Sequence, residues 1–234
     1  MVRLLVHVEG ETEETFINEI LAPHLYKRGF QLVAPRLLGN ARLRSRRGGI
    51  KSWGSARNDI LRHLREDSQR YSTTMVDYYA LPQHDERAWP GRRKANELLF
   101  HQRAPTVQAA LSADIANCMG RAFQPSRFIP YVMMHEFEGL LFSDCQLFAK
   151  AIGVPKLSVD FQSIRDQFSS PEEINDSPDT APSKRVVGLV PNYEKPIMGS
   201  IAALEVGLDR IRRECSFFHA WVTTLEKLAP QGQS

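Results

Sequence analysis

The feature that most constrains this chain is an apolar run near its start, Leu4-Leu5-Val6-His7-Val8, which ends abruptly at Glu9-Gly10. A strand with one face in water alternates apolar and polar residues, whereas a strand covered on both faces stays apolar along its length. The run therefore predicts a strand of a parallel sheet that has helices on both faces. A helix should follow it, with Thr12 at the N-cap and acidic residues in the first turn.

The rest of the chain repeats this alternation as far as about residue 155. Further strands are predicted at 31–38, 73–76 and 128–134, and helices at 56–69, 107–119 and 136–151. Such alternation is typical of βαβ crossovers and predicts the α/β class. We expect about four mostly parallel strands with flanking helices in residues 1–154. Residues 155–234 lack strand patterns and predict a helical extension packed on the same core, ending in a helix at 217–228.

Composition excludes several classes of protein. With 42% hydrophobic residues the 234-residue chain can bury a core, and a formal net charge of +3 is far from a histone-like balance. No apolar run approaches the roughly 18 residues that span a bilayer, and the start does not resemble a signal peptide. The three cysteines are far apart and indicate neither a disulfide framework nor a zinc site. These features predict a cytoplasmic protein without membrane contact, and a homo-oligomer is compatible with them.

Acidic residues stand at the ends of three predicted strands: Glu9, Asp77 and Glu136, with Glu138 just beyond the last. In open parallel sheets, ligands bind beyond the carboxyl ends of the strands, where these side chains should converge. Converging carboxylates repel one another unless a cation lies between them, and hard oxygen ligands suit Mg²⁺ or Mn²⁺. Such a site supports phosphoryl-transfer or phosphodiester chemistry. The alternative is that Glu9 and Glu136 only stabilise the N-terminal ends of the helices that follow them.

Three motifs resemble those of Toprim-like proteins. The opening motif is Val8-Glu9-Gly10-Glu11-Thr12-Glu13, the second is Asp77-Tyr78-Tyr79, and the third spans residues 135–142, HEFEGLLF. The resemblance extends from about residue 2 to residue 228, and it includes two later segments, residues 181–185 and 215–221. Over this range the chain is similar to the DUF4276 proteins of bacteria, a Toprim-like group related to the RloB and OLD-type nucleases. The resemblance implies a Toprim-like fold with a metal site at the strand ends.

The resemblance also implies roles for single residues. Glu9 matches the glutamate that serves as general acid/base and metal-site residue, and Asp77 matches the aspartate that coordinates Mg²⁺. Tyr79 stands where the family pattern has a second aspartate, so a two-metal site needs an oxygen from elsewhere. The residues that can supply it are Glu136, Glu138 and Asp85.

The two glutamates of the third motif cannot share one metal if a helix begins there. Glu138 would lie about 200° round the helix from Glu136, and Glu136 is favoured because it directly follows the strand. His135 precedes them, and it can assist proton transfer, contact a phosphate, or simply pack in the core. A zinc-protease motif is excluded, because the position of its second histidine holds Gly139.

Two basic segments predict contacts with a nucleic-acid backbone, since arginine pairs well with phosphate oxygens. The first is a glycine-rich loop, and the second follows the strand that ends at Asp77. Their members are Arg42, Arg44, Arg46, Arg47 and Lys51 in the first and Arg92 and Arg93 in the second. Trp53 can stack on a base. The alternative is a solvated arginine-rich loop in which Trp53 packs locally.

The chain has no P-loop pattern, so it does not carry its own ATPase. The resemblance implies an ABC- or AAA-type ATPase partner in anti-phage defence. The sequence thus predicts a Mg²⁺-dependent nuclease that cuts DNA or RNA as the effector of such a system. Two alternatives stay open: a degenerate, non-catalytic Toprim module that docks on and regulates the ATPase, and a metal-dependent phosphatase or nucleotidyl enzyme acting on a small molecule.

Overall fold

The computed structural model describes residues 2–38, 52–174 and 180–229. Its centre is a sheet in which every described strand pair is parallel. The strands are β1 Val2–Val8, β2 Phe30–Leu37, β3 Arg70–Asp77, β4 Phe128–Ile129 and β5 Val132–Met133. Their spatial order is β2-β1-β3-β4, and β5 also pairs with β3. The predicted α/β class with a mostly parallel sheet is confirmed.

The strand predicted over 128–134 is interrupted. Pro130 lies between β4 and β5, and because proline has no N–H it cannot donate to the ladder. A side chain of β3 fills this gap. The Thr74 hydroxyl donates to the Tyr131 carbonyl at 2.9 Å, and it accepts from the Tyr131 N–H at 3.0 Å. The two short strands therefore act as one edge strand of the sheet.

Helices precede and follow the strands along the whole described chain. Those before β4 are α1 Glu11–Phe16, α2 Ala22–Tyr26, α3 Trp53–Glu66, α4 Arg92–Ala95 and α5 Phe100–Met119. Those after β5 are α6 Glu138–Leu141, α7 Cys145–Ala151, α8 Ser158–Arg165, α9 Pro182–Leu189, α10 Ser200–Glu214 and α11 Ser216–Glu226. There are also two π-helical turns, Ile17–Leu21 between α1 and α2 and Lys195–Gly199 before α10, and several short 3-10 helices. None of the described helices is long and apolar enough to cross a membrane.

Two hydrophobic clusters lie on the two faces of the sheet. Leu4, Val6 and Val8 of β1 belong to the cluster that α1, α2 and the helices after β5 complete. The other cluster is built from α3, α5 and the alternate residues of β3 and β5. Both faces are thus buried, which explains why β1 is apolar along its length. Phe161 and Phe218 belong to the first cluster, so the helices after residue 155 share a core with the sheet.

The helix predicted over 136–151 is two helices, α6 and α7. Asp144 begins the second one, since its side-chain oxygen accepts a hydrogen bond from the Leu147 N–H at 2.9 Å. The preceding α6 is a single short turn that begins at Glu138. This places the Glu138 side chain inside the protein, in the first helical turn after β5.

Candidate active site

The strand order reverses between β1 and β3, because β1 is followed by β2 on one side and β3 by β4 on the other. In open α/β sheets, ligands bind at such a reversal, outside the carboxyl ends of the strands. Glu9 directly follows β1, and Asp77 is the last residue of β3. The main-chain N–H of Asp77 donates a hydrogen bond to the Glu9 carboxylate. The structure therefore brings these two predicted acids together at the reversal.

Burial disfavours the negative charge of these carboxyl groups. It raises the pKa of Glu9 to about 8, although the Asp77 N–H opposes this shift and the nearby Glu13 adds to it. Burial and the Glu9 charge together raise the pKa of Asp77 well above its usual value. Burial also raises the pKa of Glu138. Because the buried carboxylates lack the hydration that stabilises a negative charge in water, the cluster takes up protons or cations more readily than exposed acids do.

Lys195 places a positive charge against this cluster. Its ammonium group lies 2.8 Å from the Oε2 atom of the fully buried Glu138. Burial lowers the pKa of Lys195, but the charges of Glu138, Asp77 and Glu13 outweigh this effect and raise it above its usual value. The side chain is therefore a permanent cation at neutral pH. The other carboxylate oxygen of Glu138, Oε1, has no hydrogen-bond partner among the described residues.

Glu13 and Lys195 are the two site residues that the sequence did not indicate. Glu13 is 4% exposed, and its charge acts on both Glu9 and Asp77. A Cβ at Gly10 would lie 3.1 Å from the Glu13 carboxylate, so glycine at this position leaves room for it. The signal for Glu13 was its position in the first turn of the helix that follows Glu9. No local pattern indicated Lys195, which comes from a proline-broken segment.

Of the two glutamates in the third motif, the structure brings Glu138 rather than the favoured Glu136 against Lys195. Glu136 is half-buried, and its Oε2 atom accepts a hydrogen bond from the Ser183 N–H at 2.9 Å, at the start of α9. Its charge still contributes to raising the pKa of Glu9. Asp85 is exposed in a separate turn, with a positive φ of 61°. The missing second acid is therefore better matched by Glu138 than by Asp85.

Tyr79, the residue in place of the second aspartate, stacks on His135 with ring centres 5.1 Å apart and planes 12° apart. The Tyr79 hydroxyl accepts a hydrogen bond from Arg103 at 3.0 Å. His135 is buried, and burial together with the Arg103 charge lowers its pKa to about 4. At neutral pH the imidazole is uncharged, so His135 offers a phosphate no positive charge.

The structure describes two of the basic residues predicted to bind nucleic acid, Arg92 and Arg93. The others, Arg42, Arg44, Arg46, Arg47 and Lys51, lie outside the described residues. Arg93 is exposed on α4. The prediction is wrong for Arg92, which is buried with its guanidinium 3.7 Å from the centre of the Tyr78 ring. Its Nε–H donates to the Tyr78 carbonyl at 2.7 Å, so it stabilises the chain directly after Asp77.

Of the two interpretations of Trp53, the structure supports local packing and not stacking on a base. The side chain is buried, its ring centre lies 5.0 Å from that of Trp89, and its Nε1–H donates to Asp114 at 2.8 Å. The ring is therefore enclosed by the protein, and its polar edge has a partner there.

A family model described as "Domain of unknown function (DUF4276)" matches residues 8–226. The chain belongs to the DUF4276 family. No curated protein matches this DUF4276 member. Among solved structures, the C-terminal region of the Xanthomonas campestris pv. campestris OLD protein is similar, with 12% identity and a TM-score of 0.43. That match covers 97% of this chain and 95% of the other, and so distant a likeness carries no argument about function.

The acids of this DUF4276 protein are the oxygen ligands that Mg²⁺ and Mn²⁺ prefer. As the side chains stand, no three His, Cys, Asp or Glu residues in the described ranges are placed to hold a metal ion together. Glu138 is engaged by Lys195, and Glu9 by the Asp77 main chain. The Oε1 atom of Glu138 is buried and has no partner among the described residues, so it can still accept a hydrogen bond or bind a cation. The donor set fits a divalent ion, and holding one requires these side chains to rearrange.

Proposed function

We propose that this protein is a Toprim-like nuclease that hydrolyses phosphodiester bonds of DNA or RNA with Mg²⁺ or Mn²⁺. The observation that carries the proposal is the pairing of Glu9 and Asp77 at the strand-order reversal of a parallel sheet. Burial raises both pKa values, and a divalent cation would relieve the repulsion between the two groups. Following the family resemblance, we place the protein as the effector of an ATPase-partnered defence system.

Glu9, Asp77 and Glu138 are the residues that would hold the ion. When bound, it would activate a water molecule and stabilise charge on the phosphodiester oxygens. Burial keeps Glu9 protonated at neutral pH in the metal-free protein, and a bound cation would favour its ionised form, in which it can accept a proton. Lys195 carries a fixed positive charge in the same place, which attracts the phosphate group of the substrate.

The test is cleavage of single- and double-stranded DNA and RNA, each with Mg²⁺, with Mn²⁺ and with EDTA. Asp77→Asn keeps the size of the side chain but removes its negative charge, so we expect metal-dependent cleavage to fall roughly 100-fold or more. Glu19→Gln is a matched control, because Glu19 is exposed in the turn after α1. Calorimetric titration with Mn²⁺ reports binding without relying on activity. Full metal-dependent cleavage by Asp77→Asn would rule out the assignment.

A non-catalytic module that regulates a partner ATPase is the second candidate. It is favoured by the Lys195–Glu138 ion pair, which already neutralises one acid, and by Tyr79, which supplies no carboxylate. In that case Mn²⁺ should not bind and no substrate should be cut. Addition of the protein should then still change the rate of ATP hydrolysis by a partner ATPase.

A further inference from the structure

The stack of Tyr79 on His135 lies at the same edge of the sheet as the acids. In the β3–β5 pairing Asp77 is opposite Met133, and Tyr79 and His135 each follow two residues later. Two residues span at most about 7 Å, so the Cα atom of Tyr79 lies within about 7 Å of the Cα atom of Asp77. The stack is therefore anchored on the ends of the same two strands as Asp77 and its partner Met133.

Neighbouring side chains hold the stack in position. The Tyr78 ring packs edge-on against Tyr79 at 5.1 Å, and Phe100 lies behind His135 at 5.9 Å. Arg103 fixes the Tyr79 hydroxyl by a hydrogen bond of 3.0 Å. Even so, Tyr79 remains 47% exposed. The protein thus presents a rigid aromatic surface to solvent beside a cationic side chain.

His135 adds a second indication of a ligand at this place. It is only 3% exposed, and neither of its ring nitrogens has a hydrogen-bond partner among the described residues. Leaving a buried polar atom unpaired is costly, so native proteins usually supply a partner from water or a ligand. The orphaned nitrogens lie directly beneath the exposed tyrosine.

We propose that Tyr79, supported by His135, stacks on an unpaired nucleobase of the substrate next to the scissile phosphate. The inference rests on the proposed nuclease function and adds a substrate class to it, single-stranded nucleic acid. A base inside a duplex is covered on both faces by its neighbours and cannot stack on a protein ring. Stacking of a free base on an aromatic side chain contributes about 1–3 kcal/mol. Tyr79, which replaces the second aspartate, would thus contact the base. Arg103, which is hydrogen-bonded to Tyr79, would contact the phosphate backbone.

The experiment measures binding of the full chain in EDTA, where no cleavage occurs, by fluorescence anisotropy. Labelled single-stranded DNA, single-stranded RNA and the matching duplexes are compared at one salt concentration. We expect at least one single strand to bind more tightly than its duplex. Tyr79→Ala should weaken single-strand binding by about 5- to 150-fold, which corresponds to the stacking energy, and leave duplex binding unchanged.

Two further variants separate stacking from packing. Tyr79→Phe keeps the ring and should bind within about twofold of the wild type, whereas Tyr79→Leu keeps the bulk over His135 and should fail as Tyr79→Ala does. Tyr26→Ala is the matched control, because Tyr26 is 45% exposed but lies on α2. A duplex preference, or wild-type affinity in Tyr79→Ala, overturns the inference and leaves the nuclease proposal standing. Failure of the wild-type protein to bind any nucleic acid overturns both.

Discussion

The raised pKa of Glu9 makes the stability of the metal-free protein fall as pH rises. In the unfolded chain the carboxyl group loses its proton near its ordinary value of 4.5, whereas in the folded protein it keeps the proton up to about pH 8. Between these values the folded state binds more protons, so the free energy of unfolding decreases with pH. The decrease begins near 4.5 and levels off above about 8.

The size of the effect follows from this difference. Each pH unit between the two pKa values is worth about 1.4 kcal/mol, so Glu9 alone lowers stability by about 3 kcal/mol between pH 5 and pH 7.5. In a protein of this size, about 3 kcal/mol corresponds to a fall of roughly 6–12 °C in melting temperature. Thermal unfolding followed by circular dichroism in EDTA, at several pH values across this range, measures it directly.

Glu9→Gln tests the cause. Glutamine keeps the length of the side chain and an oxygen that can accept from the Asp77 N–H, but it does not ionise. We expect the variant to melt close to the wild type at pH 5 and several degrees higher at pH 7.5. The melting temperature of the variant should still fall somewhat as pH rises, because burial also raises the pKa of Asp77 and Glu138. The exposed control Glu19→Gln should keep the wild-type slope. If Glu9→Gln also keeps the wild-type dependence of melting temperature on pH, Glu9 is ionised in the folded protein and the reasoning fails.

Three further substitutions test how the fold and the site are held. Lys195→Met leaves Glu138 without its cation, and urea unfolding should show a loss of roughly 2 kcal/mol at pH 8. The loss should be smaller at pH 5, because burial raises the pKa of Glu138 and so favours its neutral form as the pH falls. An equal loss at both pH values contradicts an electrostatic role. Trp221→Phe removes the indole N–H that donates to Thr73 at 2.9 Å in the core, and it should cost about 1–2 kcal/mol in the same assay. Gly91 has a φ of 75°, and a Cβ added there would lie 2.9 Å from the Ala110 side chain of α5. Gly91→Ala should therefore lower the free energy of unfolding by about 1–3 kcal/mol. An unchanged urea midpoint would show that the turn relaxes to admit the methyl group.

The fold could be predicted where local pattern and tertiary position agree. The apolar run of β1 is apolar because both faces are buried, so the pattern reports the parallel sheet directly. Apolar periodicity alone did not locate the break at Pro130 or the new start at Asp144. Both were visible in the residue types, a missing N–H and a helix-capping side chain. Periodicity reports which face is buried, whereas single residues decide where an element ends.

The site was predictable only in part, for a different reason. Glu9 and Asp77 follow strands, and parallel strands bring their carboxyl ends to one edge, so topology alone joins them. Lys195 reaches Glu138 through the packing of a segment that lies far along the chain from β1 and β3. Arg92 was predicted to lie on the surface because it is charged. Tertiary contacts instead place its guanidinium group over the Tyr78 ring. Contacts of this kind cannot be predicted from the spacing of residues along the chain.

The hydrogen bond between Trp221 and Thr73 joins residues 148 positions apart, and the Phe16 ring packs on Phe218 with centres 5.8 Å apart. During synthesis the strands and the acids of the first half leave the ribosome long before the helix that covers them. Contacts of such separation form late, and until then an apolar sheet face stays open to aggregation or to a chaperone. Lys195 also arrives late, so a chain whose translation stops early has Glu138 without its cation. The order of translation therefore delays assembly of the acidic site until nearly all the described chain has been made.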